Sequence, residues 1–382
     1  MVLRCHDDSF IGSILAAFIT ERVSQLMGEF ANSVPCAYQK MATIKFVSKQ
    51  CLIELMLHGG APEIPLEGVV VMDDICKFAP ELCIRPSNDA NQQADDLFNW
   101  AQAYDQITDG AYLGRIVERR FSKVHVFREE SNRGLRQDCQ VTKGGLWLGL
   151  SATDKSLYLN HHQQDADDML LRAGGLDFEL VTPEDFSIYG VVLEDQALSS
   201  ILDQLDVETD SLAMLSKVVS TSHAHQLKAY LSILLSNQPV GWSCRTHESL
   251  LLDFVADVLD SSRGSGDSME PLFQRAKVMR RVKQTLESSD WSHPMTINEL
   301  CSAIHVSRRT LQNTFHSCCG MSPHQFLLRV RLNQARRALI SSDGEHSVYD
   351  IAFNHGFYHL GLFAGNYKKL FGESPSATLT QR

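Results

Sequence analysis

The sequence predicts an α+β protein in which a small β-barrel or β-sandwich precedes an all-α domain of two helix-turn-helix units. Three observations support this prediction. Short runs of β-forming residues separated by glycines occupy the middle of the chain, helical periodicity follows them, and two similar helix–turn–helix patterns lie near the C-terminus. At 382 residues the chain also exceeds the usual size of one hydrophobic core, so we expect two domains.

Residues 1–85 are expected to form a helical and irregular extension without chemistry of its own. Apolar residues at Ile11, Leu15 and Phe18 suit an amphipathic helix. The apolar run Phe10–Ile19 has about half of the roughly 20 residues that a membrane span needs. We therefore expect neither a membrane partner nor a secretory signal.

Residues 86–260 are expected to form a regulatory domain that binds an effector or dimerises. Strand-like runs punctuated by glycines are typical of a small sandwich or barrel of the cupin-like kind, which side chains can fill or which can hold one small ligand. The segment Glu194–Leu259 has apolar residues at helical spacing and predicts a helical hairpin. The clearest predicted strands are Tyr112–Val117, Val124–Arg128, Leu146–Leu150 and Ile188–Leu193.

The polar, glycine-containing segment Ser261–Glu270 is the predicted linker to a C-terminal domain at residues 271–382. Charge supports the same division. Residues 271–382 hold 14 Lys/Arg and 7 Asp/Glu, which gives a formal charge of +7. Because the whole chain carries −11, residues 1–270 carry −11 − 7 = −18. A cationic C-terminal domain is typical of a nucleic-acid partner.

The first unit, Thr296–Gly320, begins with the capping-box pattern Thr296-Ile-Asn-Glu299, and Ser307 caps its second helix. A step of 100° per residue places Leu311 and Phe315 inward and a polar face outward. Arginine can donate two bonds to guanine, and glutamine or asparagine can pair with adenine, so we predict that this face reads double-stranded DNA. An ordinary solvated helix face is the alternative. The outward residues are Arg308, Arg309, Gln312, Asn313 and His316.

The next segment, Ser322–Ile340, is predicted to form one long connector helix with a buried stripe at Leu328, Leu332, Ala335 and Leu339. A rigid spacer of this kind can hold two units on one face of a duplex, whose major groove recurs about every 34 Å.

The second unit, Ser347–Pro375, repeats the pattern with a capping box at its start, a turn at Gly356 and a helix end at Gly372. Its outward face has few base-reading groups. We therefore predict that this unit approaches the duplex closely through apolar or shape contacts and anchors phosphates through its lysines. The outward residues are Leu360, Gly361, Leu362, Gly365, Lys368 and Lys369.

Four spaced motifs, within Ser307–Pro323, Arg331–Leu339, Ile351–Phe357 and Phe363–Pro375, resemble the AraC/XylS family of bacterial transcription regulators. The resemblance implies a DNA-binding domain joined to an effector-binding or dimerising domain, in a regulator that activates transcription and is not an enzyme. Double-stranded DNA is the expected partner, with RNA polymerase and a second copy of the chain as further candidates. By motif position, Arg309, Gln312 and Asn313 match the family's base-contacting positions, whereas Leu360, Gly361, Leu362 and Gly365 depart from its usual polar set.

The stretch from about Trp100 onward is similar to regulators of ethanolamine operons within that family, through Trp100–Gln106, Val126–Glu129, Leu135–Gln137 and Thr182–Phe186. This similarity implies a cytoplasmic activator that responds to ethanolamine with adenosylcobalamin. The residues themselves support regulation but not that ligand, because the chain has no D-x-H-x-x-G corrinoid motif.

Four residues of the strand region are candidates for lining an effector pocket, with core packing as the alternative for each: Trp100, Tyr104, Arg136 and Trp147. A catalytic cupin-type barrel would need a metal-binding His-x-His with a nearby glutamate, and His125 stands between two valines instead. A third hypothesis makes the N-terminal half a protein-interaction module without a ligand. The ten cysteines show no C-x-x-C pair, which indicates a reduced, cytoplasmic setting.

Overall fold

The structure, a computed structural model, divides into two units, Met1–Cys76 and Lys77–Arg382. The predicted amphipathic helix near Ile11 lies outside the described residues. Those are residues 80–97, 100–205, 218–220, 223–237, 243–261, 270–342 and 346–380.

Within these ranges the strands form two antiparallel sheets, in the orders β1-β3-β4-β11-β6-β9-β12 and β2-β5-β10-β7-β8. The α+β prediction is confirmed, and the β-part is a two-sheet sandwich. Its strands are β1 (Cys83–Ser87), β2 (Trp100–Gln106), β3 (Gly114–Arg120), β4 (Val124–Ser131), β5 (Leu135–Val141), β6 (Leu146–Ser151), β7 (Leu157–Leu159), β8 (His162–Gln164), β9 (Asp168–Ala173), β10 (Asp177–Thr182), β11 (Phe186–Leu193) and β12 (Val218–Ser220).

Alternation along the strands defines the interior of the sandwich. On β5, Leu135, Cys139 and Val141 join the core cluster, whereas Arg136 and Asp138 point to the opposite face. The cluster combines aromatic and aliphatic side chains from both sheets, including Tyr104, Phe127, Trp147, Leu170 and Phe178. The sandwich therefore has its own hydrophobic core.

Within the described ranges the sandwich is accompanied by the helices α1 (Ala90–Asp96), α2 (Asp195–Gln204), α3 (His223–Leu234) and α4 (Cys244–Ser261). The last two form the predicted hairpin. Arg119 of β3 donates through Nε to the carbonyl of Leu234 at 2.7 Å, which ties the end of α3 to the seven-stranded sheet.

The C-terminal domain is all helical, as predicted. Its first unit has a core built around Leu300, Leu311 and Phe315, and its second around Phe363 and Tyr367. The helices are α5 (Glu270–Glu287), α6 (Ile297–Ile304), α7 (Arg308–Cys319), α8 (Pro323–Ser341), α9 (Val348–Asn354), α10 (Leu360–Phe371) and α11 (Pro375–Thr380).

Some boundaries differ from the sequence-based expectation. β1 begins at Cys83, so the end of the range expected to be an extension belongs to a sheet, where Cys83 pairs with Glu118. β12 lies inside the segment expected to be helical and pairs with β9. Both strands are short edge strands whose existence depends on a partner distant in the chain.

Among the described helices, none combines the length and the apolar character that crossing a bilayer requires.

Candidate nucleic-acid interface

The first unit, Thr296–Gly320, begins with a complete capping box. Thr296 accepts a bond from the N–H of Glu299, and the Glu299 carboxylate accepts the N–H of Thr296 at 2.7 Å. These bonds lower the pKa of Glu299. The turn places His305 in the left-handed region at φ 56°, and Ser307 then accepts the N–H of Thr310 at 3.0 Å to start α7. Local sequence thus determines where each helix of this unit begins.

The outward face of α7 is exposed over all of its predicted DNA-contacting residues. Leu311 and Phe315, on the opposite side, are fully buried, which fixes the rotation of the helix. No hydrogen bond or ion pair to another described residue involves the side chains of the outward set, so their donors and acceptors remain available. The set comprises Arg308, Arg309, Gln312, Asn313 and His316.

The second unit, Ser347–Pro375, also has a complete capping box, between Ser347 and Asp350. Its helix α10 differs from α7 at the start, because the N-cap His359 makes no side-chain capping bond. The first N–H groups of α10 thus lack the side-chain partner that Ser307 gives to α7.

The outward face of α10 contains two glycines that the protein interior does not require. A Cβ at Gly361 or Gly365 would have no atom within 4 Å, and neither residue has a positive φ. By contrast, Gly372 has a φ of 78° and a Cβ there would lie 2.7 Å from the backbone nitrogen of Ala111. Leu362 is 65% exposed on the same outward face. The other predicted residues, Leu360, Lys368 and Lys369, are also exposed.

The connector helix α8 joins the two units and packs against both. Phe326 and Val330 belong to the core of the first unit, and Leu332, Ala335 and Leu339 to that of the second. Leu328, predicted for the buried stripe, is partly buried against the second core.

The same helix is held against the sandwich by polar side chains that sequence reasoning missed. Asn333 is 1% exposed and exchanges two 3.0 Å bonds with the backbone of Gln106. Arg337 pairs with Asp105 at 2.5 Å and donates to the carbonyl of Tyr104. The preceding residue, Arg336, pairs with Asp89 and with Glu373. Asn333, Arg336 and Arg337 lie at i, i+3 and i+4, so they share one face of the helix. That spacing was the sequence signal that could have identified a second, polar contact face.

Arg136 joins the sandwich to the helical domain through a buried ion network. Its guanidinium contacts Asp105 at 3.0 Å, Asp138 at 2.9 Å and Glu179 at 2.7 Å. From the helical side, Lys283 of α5 contacts Asp138 at 2.7 Å. A cleft of about 280 Å³ lies at this network.

The charge distribution of the network shifts the pKa of its members. Burial alone would raise the pKa of Glu179, but the Arg136 charge and the bond from His161 lower it to about 2. The three carboxylates likewise keep the pKa of Arg136 above its ordinary value despite burial. Every charge at this contact is therefore compensated.

A loop of the sandwich also reaches the second unit. The N–H of Gly110 donates to the carbonyl of Leu370 at 2.9 Å, and Gln106 Nε2 donates to the same oxygen at 2.6 Å. Lys369, a predicted phosphate contact, lies 3.2 Å from a carboxylate oxygen of Asp109. The C-terminal end of α10 is thus fixed by the sandwich.

The four candidate effector residues fall into two places. Trp100, Tyr104 and Trp147 belong to the sandwich core, with the two indoles in edge contact at 5.8 Å. Arg136 lies on the opposite face, in the network with the helical domain. The structure therefore does not bring all four together in one pocket.

Two histidines of the sandwich, His125 and His161, make separate contacts with carboxylates, and His125 is the one discussed above for a metal site. His125 contacts Glu118 at 2.7 Å in a cluster with Arg85 and Arg120. His161 contacts Glu179 at 3.0 Å. Within the described ranges no group of three or more His, Cys, Asp or Glu side chains has an arrangement that could hold a metal ion.

Comparison with known proteins places a helix-turn-helix domain at residues 300–381. A probable thc operon regulatory protein of Rhodococcus erythropolis is 39% identical over 87 residues, which are 22% of this chain and 26% of that protein. The XylDLEGF operon transcriptional activator of Pseudomonas putida is 33% identical over 128 residues, 33% of this chain and 40% of that protein. The chain thus matches less than half the length of these relatives.

Among solved structures, a probable AraC family transcriptional regulator from Rhodopseudomonas palustris is 36% identical, with a TM-score of 0.26, over 27% of this chain and 95% of that one. The AraC-like transcriptional activator CuxR is 12% identical, with a TM-score of 0.37, over 72% of this chain and 100% of that one. The named curated relatives are operon regulators, not enzymes. The C-terminal third of the chain is accordingly a helix-turn-helix domain of the AraC/XylS family of transcription regulators.

Proposed function

We propose that this protein is a sequence-specific DNA-binding transcription regulator, an activator, whose two DNA-binding units are controlled by the β-sandwich. The observation that carries the proposal is the pair of outward helix faces, on α7 and α10, at either end of one connector helix that the sandwich holds.

In this proposal the first unit reads bases. Arg309 donates a bidentate pair to a guanine, and Gln312 and Asn313 present the amide groups that pair with adenine. These side chains are exposed and make no bond to other described residues, so reading DNA breaks no intramolecular contact. Arg308 and His316 at the edges of the face supply further contacts.

The second unit acts as a clamp on the backbone of the duplex. Gly361 and Gly365 open a surface without side chains, so the helix axis can approach the duplex closely. The N-terminus of α10 and the lysines Lys368 and Lys369 are positive groups suited to phosphates. Leu360 and Leu362 add apolar contact to sugars or thymine methyl groups.

The sandwich controls the geometry between the units. Both outward faces stay exposed while the helical domain is docked, so docking does not block DNA by covering them. It instead fixes α8 through Asn333 and Arg337 and fixes the end of α10 through Gly110. A change in the sandwich would therefore alter the relative placement of the two units, on which binding to successive grooves depends.

The narrower parts of the proposal come from the resemblance. They are a response to ethanolamine with adenosylcobalamin, contact with RNA polymerase, a homodimer and a place in the cytoplasm. Control by another small molecule or by a protein partner are the alternatives at the same sandwich. The domain boundaries that we propose are a regulatory domain at 86–260, a linker at 261–270 and a DNA-binding domain at 271–382.

A footprint of the purified full chain on its own upstream region tests the proposal. We expect protection of two adjacent major-groove segments on one face of the duplex, with the first-unit contacts more sensitive to base changes. Protection that does not depend on the DNA sequence would contradict sequence-specific binding. Ethanolamine and adenosylcobalamin are added together and singly, and an unchanged footprint would remove this ligand pair while leaving DNA binding intact.

A further inference from the structure

One arginine inside the sandwich has no acidic partner among the described residues. Arg172 of β9 pairs in register with Trp147 of β6, and opposite residues of antiparallel strands share a face. Trp147 belongs to the core cluster, and so does Leu170, two residues before Arg172. The guanidinium of Arg172 therefore lies on the interior side, where the residue is 7% exposed.

The bonds of Arg172 are few. Its Nη1 donates to the carbonyl of the neighbouring Leu171 at 2.8 Å, and its buried Nε has no partner. No carboxylate among the described residues forms an ion pair with it. Burial lowers the pKa of Arg172 only to about 10, so the group stays charged at neutral pH.

Arg172 differs from the other buried charges of the described sandwich because those have several partners each. Arg119 also has no carboxylate partner within the described ranges, but it donates to the backbone carbonyls of Leu234, Pro80 and Ser236. Glu118 has Arg85, Arg120 and His125 around it, and Arg136 has three carboxylates. A buried charge without a counter-ion is strongly unfavourable, and buried charges in proteins are normally paired. A bound anion would supply the partner that Arg172 lacks among the described residues.

Further unpartnered donors lie next to Arg172. The buried indole nitrogens of Trp147 and Trp100 have no partner, and these rings contact each other. The Nδ1 atom of His162, on the edge strand β8, is also buried and unpartnered. His162 is close enough to Arg172 for the guanidinium to lower its pKa, in addition to the effects of burial and of His161.

We propose that the interior of the sandwich binds a small monocarboxylate near Trp147 and His162, with Arg172 as its counter-ion. A planar guanidinium matches a carboxylate with two parallel bonds. The one positive charge of Arg172 favours a monoanion over a dianion. The aromatic cluster of Trp147, Trp100 and Phe178 beside it favours an apolar body on the ligand. That this anion acts as the effector rests on the proposed function; the binding site itself does not.

The full chain tests this directly. Thermal unfolding and tryptophan fluorescence are measured with acetate, hexanoate and benzoate as probes, with inorganic phosphate as the control, at constant ionic strength. We expect a saturable rise in Tm with at least one monocarboxylate that has an apolar body, a fluorescence change over the same concentration range, and neither response with phosphate.

Two matched variants test whether Arg172 is the residue that binds the carboxylate. Arg172→Met should raise the half-saturating concentration at least tenfold, and its Tm without ligand should equal or exceed that of the wild type because an unpaired buried charge is removed. Arg115→Met removes an exposed arginine paired with Glu130 and should keep the wild-type response.

Three results would overturn the site: no saturable response to any of the three monocarboxylates, a wild-type response in Arg172→Met, or a large fall in the Tm of that variant, which would reveal an intramolecular partner. The footprint is recorded on the same samples. An intact footprint without a carboxylate response removes the ligand site alone, whereas loss of sequence-specific protection in the wild type removes the proposed function.

Discussion

Arg136 and Arg172 show at the scale of single residues how surroundings decide the role of one side-chain type. Both are nearly buried in the sandwich. Arg136 is surrounded by three carboxylates and joins two domains, whereas Arg172 has none and presents its charge to the interior. The sequence shows two arginines in the same strand-rich region and nothing that distinguishes their roles.

A residue-scale prediction concerns base reading. Arg309→Ala should weaken binding to the specific site by about 1–3 kcal/mol and relax discrimination at one base pair, because a bidentate contact is lost. Gel-shift titrations on the operator and on its single-base variants measure both effects. Arg115→Ala is the control, since Arg115 lies on the sandwich and pairs with Glu130. Unchanged base preference in Arg309→Ala would contradict the assignment.

A second residue-scale prediction concerns phosphate contact. Lys369→Ala should weaken binding to every DNA sequence by a similar factor and reduce the slope of log K against log salt concentration by about one. Asp109→Asn should do the opposite, because Asp109 lies 3.2 Å from the Lys369 ammonium and competes with phosphate for it. A loss in Lys369→Ala that is confined to one sequence would count against the role.

At the scale of elements, substitution of a glycine in α10 should affect stability and DNA binding separately. Gly365→Ala meets no atom within 4 Å and should stabilise the fold by up to about 1 kcal/mol through helix propensity. The same methyl group should weaken DNA binding if the helix approaches the duplex through this glycine. Thermal unfolding and gel-shift titration distinguish the two effects.

Gly372→Ala is the contrasting variant on the same helix. It should destabilise the fold, because Gly372 has a φ of 78° and a Cβ would lie 2.7 Å from the backbone of Ala111. If Gly365→Ala stabilises the protein but leaves DNA affinity unchanged, the close approach of α10 is wrong.

The helices of the DNA-binding domain were also the elements that sequence predicted best. The capping boxes at Thr296 and Ser347 and the end of α10 at Gly372 are local features, set by residues three or four positions apart. The short strands β1 and β12 could not be predicted in this way, because each is completed by a partner far along the chain.

At the scale of the whole molecule, the contact between sandwich and helical domain predicts the response to acid. The pKa of Glu179 is about 2 in the folded protein against an ordinary 4.5. A carboxyl with a lowered folded pKa stabilises the fold above its unfolded pKa, and this contribution is lost as pH falls from about 4.5 towards 2. The loss should reach about 3 kcal/mol at most.

Urea unfolding as a function of pH checks this expectation. Glu179→Gln should show a flatter pH dependence in that window than the wild type, because it has no carboxyl to protonate. Glu184→Gln is the control, since Glu184 is an exposed glutamate paired with Arg133. If the free energy of unfolding of the wild type and of Glu179→Gln depended on pH in the same way, protonation of Glu179 would not be the cause of the loss of stability in acid.

Sequence patterns were enough to predict the α+β class, the two helix-turn-helix units, their helix starts and the outward faces of α7 and α10, because each depends on spacing within one helix or turn. The structure was needed to show that Asn333 and Arg337 hold the connector on the sandwich and that Arg136 joins the two domains. It was also needed to show that Arg172 has no counter-ion among the described residues. These roles depend on which strands pair in the sheets and on the face of the strand or helix from which each side chain projects. Charge compensation in a folded protein depends on contacts between residues that can be distant in the chain. Asp105, for example, contacts Arg136 at a separation of 31 positions and Arg337 at a separation of 232.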